Sequence, residues 1–130
     1  MRYLSIATLL LVAALGCGSG SGYGEPLRGK VTYDGQPVPT GDVILEPNSA
    51  KGNSGPGTIG KITDGRYETP ASKGIVGGEY SVTIRGYDGK EDPNTEAAAN
   101  SPGNPLFPAY RTDVNIPTDG SEFDFEIPKK

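Results

Sequence analysis

The 130-residue sequence contains no histidine and no tryptophan, and it has a single cysteine. The absence of histidine excludes a Ser-His-Asp triad, a Cys-His pair and any metal site built on imidazole, because no other side chain titrates near neutral pH unaided. The single cysteine, Cys17, has no partner for an intramolecular disulfide. The sequence therefore predicts a protein that is not an enzyme of these classes and that uses no cofactor.

Basic residues are also scarce. The chain has 12 lysines and arginines against 16 aspartates and glutamates, with a sequence pI of about 4.8. This composition argues against a nucleic-acid partner, which needs a basic surface. The basic residues form no run along the chain, so we expect no electrostatic attraction to anionic lipid and a membrane attachment that depends on Cys17 alone.

One uncharged and largely apolar segment stands out, residues 4–15, preceded by Arg2. It is too short to span a bilayer but has the length of the hydrophobic region of a signal peptide. It resembles a type II lipoprotein signal, in which the cysteine after the cleavage site receives a diacylglycerol on its thiol. Here Ala14 and the bulky Leu15 occupy the third and second positions before Cys17. Ordinary secretory cleavage is the alternative, because Ala14 and Gly16 also satisfy its small-x-small pattern, and both interpretations predict export.

The residues after Cys17 form a Gly/Ser spacer typical of a flexible tether. We predict a lipoprotein signal peptide at 1–16, the lipidated Cys17 and tether at 17–26, and one domain at 27–130. A diacylglycerol with a further acyl chain such as palmitate meets the need for two or more chains for lasting attachment. The expected location is the cell membrane or outer membrane, facing the periplasm or the cell surface.

The domain itself is predicted to be all-β, an antiparallel β-sandwich of about seven strands, because glycine and proline are abundant and several segments alternate between apolar and polar residues. Asp34-Gly35 and Asp64-Gly65 predict tight turns. We expect the strand that ends at Tyr33 to pair with the strand that contains Val43. The inward positions that the alternation predicts are Leu27, Gly29, Val31, Tyr33, Val43, Leu45, Tyr67, Thr69, Tyr80, Val82, Ile84, Tyr110, Thr112, Val114, Ile116, Phe123, Phe125 and Ile127.

A glycine-rich stretch at 55–60 matches the GxGxxG pattern of dinucleotide-binding proteins, and residues 55–61 match the first part of a Walker A loop. Both motifs need a buried strand before them and a helix after them, and the Walker form needs Ser or Thr where Ile62 stands. The sequence provides neither context. We therefore predict a solvated loop at 48–57 and no nucleotide site.

A second irregular stretch, residues 87–105, carries several carboxylates. These oxygen ligands suggest a calcium or ligand loop, but their spacing is not that of an EF-hand and Lys90 lies among them. An acidic surface loop is the simpler interpretation, and residues 93–100 could form one or two helical turns. The candidate ligand residues are Asp88, Glu91, Asp92 and Glu96.

Three segments carry a family likeness. Residues 28–38 (RGKVTYDGQPV), residues 63–67 (TDGRY) and residues 78–84 (GEYSVTI) resemble the successive blocks of carboxypeptidase regulatory-like domains. The resemblance implies a prealbumin-like (transthyretin-like) sandwich of the kind found on small bacterial lipoproteins. The one enzyme group with this fold, the hydroxyisourate hydrolases, depends on histidines that are absent here.

We therefore expect a non-catalytic, lipid-anchored envelope domain with a structural or protein-interaction role. The alternative is a ligand-binding module for glycan or calcium that uses Tyr87 and the 87–105 loop. An enzyme built on a carboxylate pair is a third hypothesis, disfavoured because the acids fall at turns and outward strand positions. The partners expected are the membrane through lipid on Cys17 and envelope proteins or glycans.

Overall fold

The computed structural model describes residues 25–91, 101–117 and 122–130. Cys17, Asp92, Glu96 and the helical turns predicted at 93–100 lie outside these residues. The described chain forms eight strands and two 3₁₀ turns, at Ser49–Lys51 and Ala71–Lys73, and contains no α-helix. The strands are β1 (Arg28–Tyr33), β2 (Gln36–Pro37), β3 (Thr40–Pro47), β4 (Thr58–Thr63), β5 (Arg66–Glu68), β6 (Gly78–Tyr87), β7 (Tyr110–Ile116) and β8 (Phe125–Ile127).

These strands form one curled sheet in the order β2-β1-β5-β4-β3-β6-β7, with β8 on the other edge of β1. The first half of β1 pairs with β5 and its second half with β2, so this strand passes from one layer of the sandwich to the other. The all-β sandwich fold is confirmed. One pair differs from the antiparallel expectation, because β8 runs parallel to β1.

The alternation of apolar residues predicted the core well. The inward residues of β1, β3, β6 and β8 are buried as expected, except for Tyr33 at the end of β1, which is half-buried. Those of β7 are half-buried except for the buried Ile116. Val38 and Phe107 join this core from irregular segments that show no alternation. The core residues are Leu27, Val31, Val38, Val43, Leu45, Ile62, Tyr67, Ile75, Tyr80, Val82, Ile84, Phe107, Ile116, Phe125 and Ile127.

Both predicted tight turns are confirmed. Asp34 and Gly35 have φ of 51° and 75°, and Asp64 and Gly65 have φ of 49° and 78°, which is the geometry of the hairpin turns that favour an Asp-Gly pair. The expected pairing of β1 with β3 was wrong. The turn at 34–35 leads instead into the short β2, and the hairpin of β4 and β5 lies between β1 and β3.

The strand directions give the domain two ends. We call the end where the chain enters at Glu25 the tether pole; the loops at 48–57 and 70–77 lie there, and the Ile75 N–H donates to the Glu25 carbonyl at 3.0 Å. The distal pole is the opposite end, where β1 and β8 finish and β7 begins. Six residues of β1 separate the two poles by about 20 Å.

The solvent-facing side of the sheet carries a row of alternating charges that we call the charge row. Strand register and one isolated bridge place oppositely charged residues side by side across neighbouring strands. Two of the neighbouring pairs in this row form ion pairs: Arg28 with Glu68 at 3.1 Å, and Lys61 with Asp42. The hydrogen bond that the Arg28 guanidinium donates to the Glu68 carboxylate raises the pKa of Arg28. The row consists of Glu122, Arg28, Glu68, Lys61, Asp42 and Arg85.

Candidate functional site

A cleft of about 330 Å³ opens at the distal pole, between the start of β7 and the end of β8. Its walls combine aromatic and aliphatic side chains with prolines, and two cations lie at its rim. Concave, mostly apolar surfaces with a few polar groups are the usual form of a binding site. The cleft is lined by Tyr33, Leu106, Phe107, Pro108, Ala109, Tyr110, Arg111, Ile127, Pro128 and Lys130.

The floor of the cleft is fixed by Phe107. Its ring packs over Gly86 of β6, where a Cβ atom would collide with the ring, and its centroid lies 4.9 Å from that of Tyr33. The Leu106 N–H donates to the Gly86 carbonyl at 3.0 Å and holds this segment against β6. The floor is therefore preformed, because an aromatic pair and a backbone hydrogen bond fix it in place.

The rim of the cleft is basic. Within the described chain neither Arg111 nor Lys130 forms an ion pair, whereas the neighbouring Lys129 lies 3.7 Å from Asp34. The hydroxyl groups of Tyr33 and Tyr110 also form no hydrogen bond to another described residue. Two cations and two phenols are therefore available to a ligand or partner at this end of the domain.

The predicted calcium loop has a different geometry at the residues that can be described. One carboxylate oxygen of Asp88 accepts from the N–H groups of Lys90 and Asn104, both at 2.9 Å, and the other accepts from the Asn104 side-chain amide at 3.3 Å. These N–H donors lower the pKa of Asp88. Glu91 is exposed, and Asp92 and Glu96 lie outside the described residues.

Asp88 therefore joins the two arms of the 87–105 connection. The Asp88 N–H donates to the Asn104 carbonyl at 2.9 Å, and the Gly89 N–H donates to the Pro102 carbonyl at 3.0 Å. Because Leu106 follows this connection directly, the clamp at Asp88 also positions the segment that forms the cleft floor. Among the described residues, no three potential metal ligands of the His, Cys, Asp and Glu types lie close enough to share an ion.

The glycine-rich stretch at 55–60 does not have the structural setting of a phosphate-binding loop. Its first residues are exposed, and its second half belongs to β4, which is followed by the turn at 64–65 and not by a helix. Neither motif has the structural context that it needs.

A second depression, of about 310 Å³, lies on the solvent-facing side of the sheet around the charge row. It includes Arg28, Lys61 and Glu68, whose charges are already opposed by neighbours. The distal cleft is therefore the better candidate site.

Sequence reasoning did not identify the distal cleft. The signal that could have pointed to it is the run of prolines and aromatics at 105–110, PLFPAY, which shows neither strand nor helix periodicity. Tyr87, which the sequence suggested as a ligand residue, lies outside this cleft and borders a smaller depression with Arg85 and Pro105.

No family model, no curated protein and no solved structure matches this chain. No helix among the described residues is long and apolar enough to cross a membrane. The likeness to carboxypeptidase regulatory-like domains therefore depends only on the three sequence blocks quoted above.

Proposed function

We propose that this chain is a non-catalytic, lipid-anchored domain of the cell envelope, with a fold of the carboxypeptidase regulatory-like kind, whose distal cleft contacts an envelope protein. The observation that carries the proposal is the position of the cleft. It lies at the pole opposite to Glu25, where the tether enters the domain. A lipid on Cys17 and the flexible tether keep Glu25 within reach of the bilayer. The cleft is then at the end of the domain that lies farther from the anchor.

The lipid half of the proposal is tested by Cys17→Ser. We expect the wild-type chain to fractionate with membranes and its mature N-terminus to carry acyl chains by mass spectrometry. The variant should accumulate as precursor or appear in the soluble fraction. Membrane attachment that is unchanged in Cys17→Ser, or a mature chain that keeps residues 1–16, contradicts the lipid anchor.

The binding half is tested by a matched pair of photo-crosslinking residues in intact envelopes. Ala109 is exposed and lines the cleft, and Ala50 is exposed at the tether pole. We expect position 109 to give a discrete adduct with a protein other than this chain, and position 50 to give no adduct of the same mass. Equal adducts from both positions contradict a partner at the distal pole.

A glycan is the second candidate ligand, favoured by the available hydroxyl groups of Tyr33 and Tyr110 beside apolar ring surface. Tyrosine combines an apolar face with a polar tip, and this combination suits a sugar ring. Calorimetric titration with envelope oligosaccharides tests this candidate. Saturable binding that is lost in Tyr110→Ala supports a glycan ligand. If no oligosaccharide binds, the envelope protein is the favoured partner of the cleft.

A further inference from the structure

Three strands have an edge that pairs with no other strand of the described chain: β2, β7 and β8. Two of these edges are short, since β2 has two residues and β8 has three. In contrast, β7 is seven residues long, contains neither proline nor glycine, and pairs only with β6. Short length, proline and charge are the usual protection of an edge strand. The edge of β7 is protected neither by short length nor by a proline within the strand, and its two charges, Arg111 and Asp113, have opposite signs. It therefore offers a template for a strand whose charges complement them.

The two faces of β7 differ in a regular way. Arg111, Asp113 and Asn115 are exposed on the outer face, whereas Tyr110, Thr112 and Val114 are half-buried against the core. Side chains that lie opposite one another in a strand pair share a face of the sheet. Two copies of β7 that continue one sheet across a two-fold axis must therefore pair odd-numbered residues with odd and even-numbered with even.

This condition leaves few registers. The one centred on Val114 pairs no opposite charges and places Arg111 opposite Pro117, which has no N–H to donate. Charge separates the others. A register centred on Arg111 opposes two arginines, and one centred on Asp113 opposes two aspartates. Both are unfavourable because like charges directly opposite one another destabilise a strand pair. A register centred on Thr112 instead places Arg111 opposite Asp113 of the second copy, and it does so twice because of the symmetry.

The same register suits the inner face. It places Tyr110 of each copy opposite Val114 of the other, and both side chains already pack on the edge of their own core. An aromatic residue opposite a β-branched residue is a favourable pair. Arg111 has no ion pair within the described chain, and the Asp113 side chain is 50% exposed although it lies 3.9 Å from Lys51.

We propose that β7 forms an antiparallel pair with β7 of a second copy of this chain, in the register that places Thr112 opposite Thr112. The result is a two-fold symmetric dimer with one continuous sheet. A single strand pair buries little surface, so the dimer is weak in dilute solution. Confinement of both copies to one membrane raises their effective concentration and favours the dimer.

The test uses the chain from residue 17 onward with Cys17→Ser, which carries neither lipid nor a thiol that could link two copies. We expect sedimentation equilibrium to show a reversible monomer–dimer equilibrium. Arg111→Asp and Asp113→Arg should each raise the dissociation constant at least about tenfold, because each opposes like charges twice. The double variant should dimerise again and should not form mixed dimers with the wild-type sequence.

Lys90→Asp is the matched control, because it makes the same change of net charge as Arg111→Asp at an exposed position outside β7. This variant should dimerise like the wild type, and circular dichroism melts should show every variant folded. A chain that stays monomeric up to millimolar concentration overturns the proposal. A dimer whose dissociation constant changes in neither Arg111→Asp nor Asp113→Arg also overturns it, since such a dimer must use another surface. Neither result bears on the lipid anchor, because the probe carries no lipid.

Discussion

The two faces of the same sheet are stabilised in different ways. On the inner face, Tyr67 of β5 lies over Gly29 and Gly60 of β1 and β4, packs against Phe125 at 5.6 Å, and donates its hydroxyl to the Phe123 carbonyl at 2.6 Å. On the outer face, the charge row joins the same strands through exposed ion pairs. The comparison shows that burial fixes the fold on one side, while on the other side the register only aligns charges that the solvent screens.

The largest expected effect comes from filling the space beneath Tyr67. A Cβ atom at Gly29 would collide with the Phe123 carbonyl oxygen and approach the Tyr67 ring to 2.9 Å. Gly29→Ala should lower the free energy of unfolding by about 3 kcal/mol, measured by urea titration. Lys30→Ala, on the other face of the same strand, should change it by less than about 0.5 kcal/mol. Equal effects of the two substitutions would contradict the difference between the faces.

The second-largest effect is expected from removing the buried hydroxyl group of Tyr67. Tyr67→Phe keeps the ring but leaves the Phe123 carbonyl without this donor, so we expect a loss of about 1 to 2 kcal/mol. The control is Tyr33→Phe, whose hydroxyl bonds to no described residue and whose loss should be near zero.

Tyr67 also predicts an alkaline pH dependence. Burial raises the pKa of Tyr67 above its ordinary value. The unfolded chain then loses the phenolic proton near pH 10 while the folded chain keeps it. The stability of the wild type should fall as the pH rises above about 10, and that of Tyr67→Phe should fall less. Parallel curves would show that Tyr67 is not the group responsible.

A smaller effect is expected at Asp88, whose carboxylate is stabilised mainly by backbone N–H groups. The N–H groups of Lys90 and Asn104 lower the pKa of Asp88. The stabilisation is present at neutral pH and is lost as the pH falls below about 4, where the unfolded aspartate takes up its proton first. Asp88→Asn should lower Tm at pH 7 by a few degrees and weaken its acid dependence, whereas Glu91→Gln should leave Tm unchanged. If the Tm of both variants depends on acid pH in the same way, Asp88 is not the group responsible.

The smallest effect concerns the charge row. Lys61→Glu opposes Asp42 and Glu68 with a like charge, and the expected loss is below about 1 kcal/mol because exposed ion pairs contribute little. The loss should shrink in about 1 M NaCl, where the screening length is near 3 Å. Lys90→Glu is the control for net charge. A loss that persists at high salt would mean that Lys61 stabilises the sheet by packing.

Much of this fold could be predicted from residue patterns. Alternation in 27–33, 80–84 and 123–127 gave the inward residues, and Asp-Gly pairs gave both tight turns, because these features depend on neighbours in the sequence. The pairing of β1 could not be predicted, since the residues that β1 pairs with in β5 and β8 are 36 to 94 positions away along the chain. The sequence suggested Asp88 as a metal ligand because its hydrogen bonds could not be foreseen. The Asp88 carboxylate accepts from the Asn104 N–H only because the 87–105 connection folds back on its own start.

The sequence by itself determined the class of the protein: an exported chain by expectation, an all-β domain, and chemistry without imidazole. Those conclusions depend on composition and on short-range periodicity. Only the tertiary structure decided that Tyr33, Phe107 and Arg111 meet in a cleft at the pole opposite to Glu25, and that six charges alternate across the sheet. It also decided that β7, alone among the described strands, keeps a long free edge. Strand order and register create these features, and both are set by contacts between residues that are distant along the chain.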